Sequence, residues 1–202
     1  MQGLATPGDS TLHLILASHS PRRRELLHGL GLDFEVRVIP GIDESYPDGL
    51  PPAEIPCFIA RKKAEAHRPG MKENELIITA DTVVVLDNGI LEKPRDRDDA
   101  ICMLHRLSGR THEVVTAVVI TAPYRQSAFS VTSEVDFATL TDEEIRYYVD
   151  AFQPYDKAGA YGIQEWIGYI GVQAIRGSFY NVMGLPVQRL YRELKKFSGD
   201  GR

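Results

Sequence analysis

Apolar and polar positions alternate in blocks along this chain, and the length and spacing of each block fix an element. Leu12 to Ala17 is a short apolar run of strand type, and after Ser18 the apolar positions recur at helical spacing as Leu26, Leu27 and Leu30 before Gly31. Ser20 and Pro21 suit the N-cap and first position of that helix. Phe34 to Val38 extends again and a loop follows from Pro40 to Glu44. Residues 53–67 pattern as a helix with Ile55, Phe58, Ile59 and Ala66 inward and Arg61, Lys62 and Lys63 along another side. Leu76 to Ala80 reads as a buried strand, with Asp81 and Thr82 at its end where it meets Val83 to Leu86. Asn88-Gly89 signals a hairpin, which runs Ile90 to Lys93 back beside Val83 to Leu86 and carries Lys93 toward Asp81 and Thr82. Residues 96–107 are amphipathic through Ile101, Leu104 and Leu107 and stop at Ser108-Gly109.

Two longer strands are expected over 112–121 and 127–139, the second alternating as Phe129, Val131, Val135 and Phe137. Thr141-Asp142-Glu143-Glu144 is a capping box that opens a helix to about residue 151. Tyr155 to Gln164 is rich in small residues that let the backbone approach a neighbour closely. Strands over 167–175 and 178–183 and a helix from Pro186 to Phe197 complete the pattern. Hairpin-linked and helix-linked strands together imply an α/β fold, one mixed sheet with packed helices. It occupies a single domain over 12–198, preceded by an extension over 1–11.

Composition narrows the partners. The 202 residues are 43% hydrophobic and 25% charged, ordinary for a globular chain with one core. A formal net charge of -5 gives no bulk attraction to nucleic acid or to an anionic membrane surface, so any phosphate binding is local and a small anion fits better than a polymer. No apolar stretch is long enough to span a bilayer, and the first is too short and too soon followed by charge for a signal peptide. Cys57 and Cys102, both in helical patterns, read as reduced, partly buried thiols of a cytosolic protein. The six histidines show no zinc-ligand spacing.

The most informative segment is the helix start. Arg22, Arg23 and Arg24 fall in its first turn, where each cation opposes the macrodipole at about 0.3–1 kcal/mol on an exposed helix. Free backbone N–H groups and guanidiniums make that start an anion site; the plainer alternative is a solvated basic turn. Glu44 in its loop and Asp81 at its strand end are carboxylates able to hold a hard divalent cation, while Lys63, Lys93 and Gln164 are, singly, as easily surface or local backbone partners. Together they are the parts for hydrolysis at phosphorus: a metal bridging carboxylate and phosphate oxygens, cations neutralising charge, a carboxylate activating water. Neither a P-loop nor a G-x-G-x-x-G sequence occurs.

Ser18-x-Ser20-Pro21-Arg22-Arg23, Gly41-Ile42-Asp43-Glu44, Ala60-Arg61-x-Lys63-Ala64, Ala80-Asp81-Thr82-Val83, Glu92-Lys93-Pro94, Leu107-Ser108-Gly109-x-Thr111-His112 and Asp156 to Gln164 closely resemble, in order, the motifs of the Maf family of nucleotide pyrophosphatases. The resemblance implies a cytoplasmic hydrolase of nucleoside triphosphates, dependent on a divalent cation (Mg²⁺, Mn²⁺ or Co²⁺), which releases monophosphate and pyrophosphate. It also implies an elongated two-lobed fold like that of inosine triphosphatases, with the site in a central cleft, and it admits a homodimer. Carried over by position, Ser18, Arg22 and Arg23 bind phosphate, Glu44 and Asp81 hold the metal, Asp81 accepts a proton, and Lys63 and Lys93 complete the catalytic set. Arg22, Thr82 and Gln164 match the branch that acts on dTTP and UTP; the branch acting on 7-methyl-GTP differs there, and a non-catalytic, nucleotide-binding role in septum formation is the other reading. Glu165-Trp166 departs from the family, which often has glycine after the glutamine.

Overall fold

The structure, a computed structural model, describes residues 12–197. The expected extension over 1–11 and residue 198 lie outside the described residues. Fourteen elements follow one another: β1 (His13–Leu16), α1 (Pro21–His28), β2 (Glu35–Val36), α2 (Ile55–His67), β3 (Glu75–Leu86), β4 (Gly89–Leu91), α3 (Arg97–Leu107), β5 (Thr111–Ala122), β6 (Arg125–Phe137), α4 (Asp142–Phe152), α5 (Trp166–Gly171), β7 (Val172–Arg176), α6 (Phe179–Met183) and α7 (Val187–Phe197). The strands form one mixed sheet ordered β2-β1-β3-β5-β6-β7, with β4 hairpinned onto β3. β1 runs parallel to β2 and β3, and the remaining pairs are antiparallel. That is the mixed α/β architecture expected from the linker pattern.

β3 is apolar on both faces because both are covered. Leu76, Ile78, Ala80, Val84 and Leu86 join the main core beneath α1, α3, α4, α6 and α7. Val83 and Val85 meet Ile55 and Ile59 of α2 on the opposite face. The inward stripe of α2 is Ile55, Ile59, Ala60 and Ala64; Ala66, expected inward, is half-exposed, since the small residues at 60 and 64 let the helix sit close to Val119.

Several expectations are corrected. Asp81 is not at a strand end: β3 continues through it, held by pairing of Ile77 to Val85 with β5. The hairpin turns at Asp87-Asn88, both at positive φ (52° and 60°), so Gly89 already pairs with Leu86. The span 167–175 divides into α5 and β7, and 178–183 is the helix α6. Short apolar runs carry both periods, and local chemistry decides them. Ser178 caps the Asn181 N–H, Gly184 closes the turn at φ 111°, and the buried Asn181 amide donates to Val114 O and Ser133 Oγ. Cys57 is half-buried as expected, but Cys102 is exposed on the outer face of α3. The capping box at Thr141 and Glu144 forms as read. Among the described residues no helix is long and apolar enough to cross a membrane.

Candidate active site

The site begins as a gap in the sheet. On one edge of β3, pairing with β1 stops at Leu16↔Ile78 and pairing with β4 starts at Leu91↔Val84, while the other edge stays paired with β5 throughout. Carbonyls on that open edge point out at every second residue: Ile78 O accepts from Ala17 N at 2.9 Å, and Ala80 O is next. Arg23 supplies the missing donor. Its Nη1 donates to Ala80 O (2.9 Å) and, at 3.5 Å, to Ser18 Oγ; Nη2 donates to Thr82 Oγ1 (3.0 Å), and Nε to Gly184 O (2.8 Å). Burial holds its pKa below the ordinary arginine value, opposed by the charge of Asp81, yet a guanidinium remains cationic at any physiological pH.

α1 places the rest of the anion-binding start. Ser20 accepts from Arg23 N at 3.4 Å as the N-cap, and buried Ser18 accepts from Ser20 N at 3.2 Å, leaving the Ser18 hydroxyl proton to donate to a ligand. Arg22 points the other way and donates through Nη1 to Asp156 Oδ2 at 3.2 Å.

Across the gap, α2 is docked onto β3 by Thr79 Oγ1 donating to Ala60 O at 2.7 Å. One turn further, Lys63 Nζ reaches Asp81 Oδ1 at 2.8 Å and Glu44 Oε1 at 3.1 Å, so one ammonium bridges both carboxylates. Asp81 Oδ2 and Glu44 Oε2 make no hydrogen bond among the described residues and remain for a ligand. The Glu44 loop is clamped on both sides. Lys62 Nζ donates to Asp43 Oδ2 (2.8 Å) and Ser45 O (2.9 Å), and Tyr46 Oη donates to Glu92 Oε1 (2.9 Å). The Lys62 hydrogen bond, then those from Ser45, hold the Asp43 carboxyl far below the usual carboxylate range.

The small-residue segment closes the opening, as its composition suggests. Gly159 sits at φ 68° and donates to Glu92 O at 3.1 Å; a Cβ there would lie 3.0 Å from Val84 Cγ2. Beyond it, Gln164 lines the opening, with its Oε1 buried and without a hydrogen bond among the described residues. The opening holds about 520 Å³ and is lined by all the residues that the sequence marked for phosphate, metal, catalysis and base choice, Lys93 included.

A family model for Maf-like proteins matches residues 13–197. The chain belongs to the Maf family. Curated relatives named dTTP/UTP pyrophosphatase share 62% identity over 184 residues in Parabacteroides distasonis, 60% over 183 in Phocaeicola vulgatus and 59% over 183 in Bacteroides thetaiotaomicron, each alignment covering 91% of this chain and 95% of the relative. Among solved structures, a nucleoside-triphosphatase / dITP/XTP pyrophosphatase from Mycobacterium abscessus overlays with a TM-score of 0.46 at 17% identity, over 92% of this chain and 98% of that one.

For this Maf chain the donor chemistry bears on a metal. Among the described residues no three His, Cys, Asp or Glu side chains gather into a cage. Two carboxylates each offering one oxygen suit a hard cation that takes its other ligands from water and phosphate, as Mg²⁺ does. Sequence reasoning missed Asp156, Lys157 and Gly184 as parts of the wall. A charged pair just before small residues was the available signal for the first two; Gly184 contributes only a carbonyl, which no side-chain pattern reveals.

Proposed function

We propose that this chain hydrolyses dTTP and UTP to the monophosphate and pyrophosphate. The observation that carries the reading is the Lys63 ammonium bridging Glu44 and Asp81 at the open edge of β3, in the same cavity as the α1 start and Gln164. The names of the relatives support the substrate pair.

In this reading Asp81 and Glu44 would hold a divalent cation (Mg²⁺, Mn²⁺ or Co²⁺), which when bound would neutralise charge at the phosphates. The Asp81 carboxylate takes the proton of the water that attacks the α-phosphorus, and Lys63, bound to its Oδ1, fixes the orientation of the group. The Ser18 hydroxyl, the backbone N–H and guanidinium of Arg22, and Lys93 receive the triphosphate oxygens. Arg23 contributes its charge more than its fork, since four of its five N–H donors are engaged within the protein. The Gln164 amide carries both an acceptor and donors, the complement of the N3–H and O4 edge shared by uracil and thymine. A cavity of this volume admits one nucleoside triphosphate.

The deciding experiment measures phosphate released from dTTP, UTP, ATP, GTP and 7-methyl-GTP with Mg²⁺, with and without added inorganic pyrophosphatase. Release that requires the coupling enzyme and is fastest with dTTP and UTP supports the reading. Equal release without it removes the pyrophosphate chemistry, and faster turnover of 7-methyl-GTP removes the base assignment alone.

A further inference from the structure

Behind Gln164 runs a line of alternating charge that ties the base-facing wall to the hydrophobic core. Gly162 N donates to Tyr148 Oη at 2.9 Å, and the Tyr148 hydroxyl donates to Glu165 Oε2. Glu165 Oε1 pairs with Lys157 Nζ at 3.1 Å, the same ammonium donates to Asp156 Oδ1 at 2.7 Å, and Asp156 Oδ2 accepts from Arg22 at 3.2 Å. One end is rigid: Tyr148, fully buried in α4 and stacked on Phe152, keeps its proton because burial, then the bond to Glu165, raises its pKa. The other end is the arginine facing the substrate cavity. Glu165 is the link that joins them, and Gln164, whose carbonyl oxygen is buried without a partner, is its immediate neighbour.

The seat of Glu165 is specific. Its carboxylate lies over Gly162, where a Cβ would meet Glu165 Cδ at 2.7 Å and the two oxygens at 2.9 and 3.0 Å. Gly162 is not at positive φ, and the three atoms nearest to a side chain there all belong to Glu165. Lys157, itself buried, would keep only Asp156 as a partner if Glu165 moved away.

We propose that Glu165 is a positioning residue for pyrimidine selection: it anchors the 156–165 segment to Tyr148, which sets Arg22 through Lys157 and Asp156 and turns the Gln164 amide into the cavity. The inference rests on the dTTP/UTP pyrophosphatase reading.

The test compares wild type, Glu165→Gln and Gly162→Ala in pyrophosphate release from dTTP, UTP and ATP, with thermal unfolding of each unliganded protein. Glu165→Gln removes the charge, whereas Gly162→Ala keeps it but displaces it. Both are expected to raise KM for dTTP and UTP about tenfold with kcat within about twofold, and to narrow the pyrimidine-to-ATP ratio of kcat/KM, the scale seen for substitutions along coupled networks. The double variant should be no worse than the stronger single one, as for groups acting through one path. If Glu165→Gln does not fold, Gly162→Ala alone carries the comparison, since the atoms nearest to its methyl group are at the far end of the flexible Glu165 side chain. Wild-type KM and selectivity in a folded Gly162→Ala overturn the inference and leave the function standing; so does a fall in kcat and unfolding temperature with selectivity unchanged, which marks a structural role only. No pyrophosphate release by wild type overturns both.

Discussion

Replacing Arg23 by alanine separates two roles that a phosphate-side arginine can have. If the cation sat at the α1 start for the ligand alone, its removal would relieve the helix dipole and leave the unliganded protein as stable or more so, by about 0.3–1 kcal/mol. The observed guanidinium instead closes the open edge of β3, with three hydrogen bonds of 2.8–3.0 Å and a fourth at 3.5 Å. Bonds from a charged donor contribute about 1.5–3 kcal/mol each, reduced here because Ala80 O, Thr82 and Gly184 O line a cavity that water enters, so a net loss of about 3 kcal/mol is expected after the dipole relief is subtracted. For a domain of this size that lowers the melting temperature by roughly 6–12 °C. Calorimetry or urea unfolding of the nucleotide-free variant measures it. An unfolding temperature at or above that of wild type would falsify the structural role. Arg23→Lys should recover little of the loss, since an ammonium cannot span the three acceptors.

Asp81→Asn keeps the shape of the site and leaves Lys63 paired with Glu44, so turnover is expected to fall by at least about 10² with an intact fold; activity near wild type would remove Asp81 as the base. Gly159→Ala forces a side chain at φ 68° to within 3.0 Å of Val84 and should destabilise by about 1–3 kcal/mol, read as a lower unfolding midpoint; an unchanged midpoint contradicts the close approach. Acid stability tests the pair at the other end of β3. The two-pronged hydrogen bond from Arg37, against the effect of burial, holds Glu75 at about 2, below the ordinary 4.5. A carboxyl depressed in the folded state stabilises fully above the unfolded value and loses that contribution as pH falls through the folded one. The stability gap between wild type and Arg37→Met in urea should therefore be widest near neutral pH and shrink between about pH 4.5 and 2. A gap that stays constant with pH would mean that Arg37 acts by packing alone.

Chemistry was more legible in the sequence than geometry. Ser20-Pro21 announced the α1 start because capping is local, and the Thr141 box formed for the same reason. Motif order gathered the charged residues correctly. What the sequence hid was the partner of each. A charge inside an apolar run reads as a strand end, yet Asp81 stays within β3 because β5 continues its ladder and Lys63 meets its carboxylate. Nothing local marks the edge of β3 as open, since that depends on where β1 and β4 stop. The runs 167–171 and 178–183 carry strand-like residues, and the fold made them helices through a packed Gly168 and a buried Asn181, both tertiary effects. The Lys157–Glu165 pair was invisible for the same reason.

The bond from Arg23 to Gly184 also bears on when the protein becomes competent during its synthesis. Residue 23 leaves the ribosome early, and β1, the strand before its helix, waits for β3, about sixty positions later, for the second of its two parallel partners. Even then the guanidinium lacks the acceptor that fixes its Nε, which lies 161 residues along the chain. Thr82 likewise shares its hydroxyl with Thr116, which itself donates to Asn181 O near the C-terminal end. A nascent chain that has made the sheet but not α6 therefore holds its carboxylates and arginines without the frame that aims them. Assembly of the cavity is in this way tied to synthesis of the chain as far as Gly184.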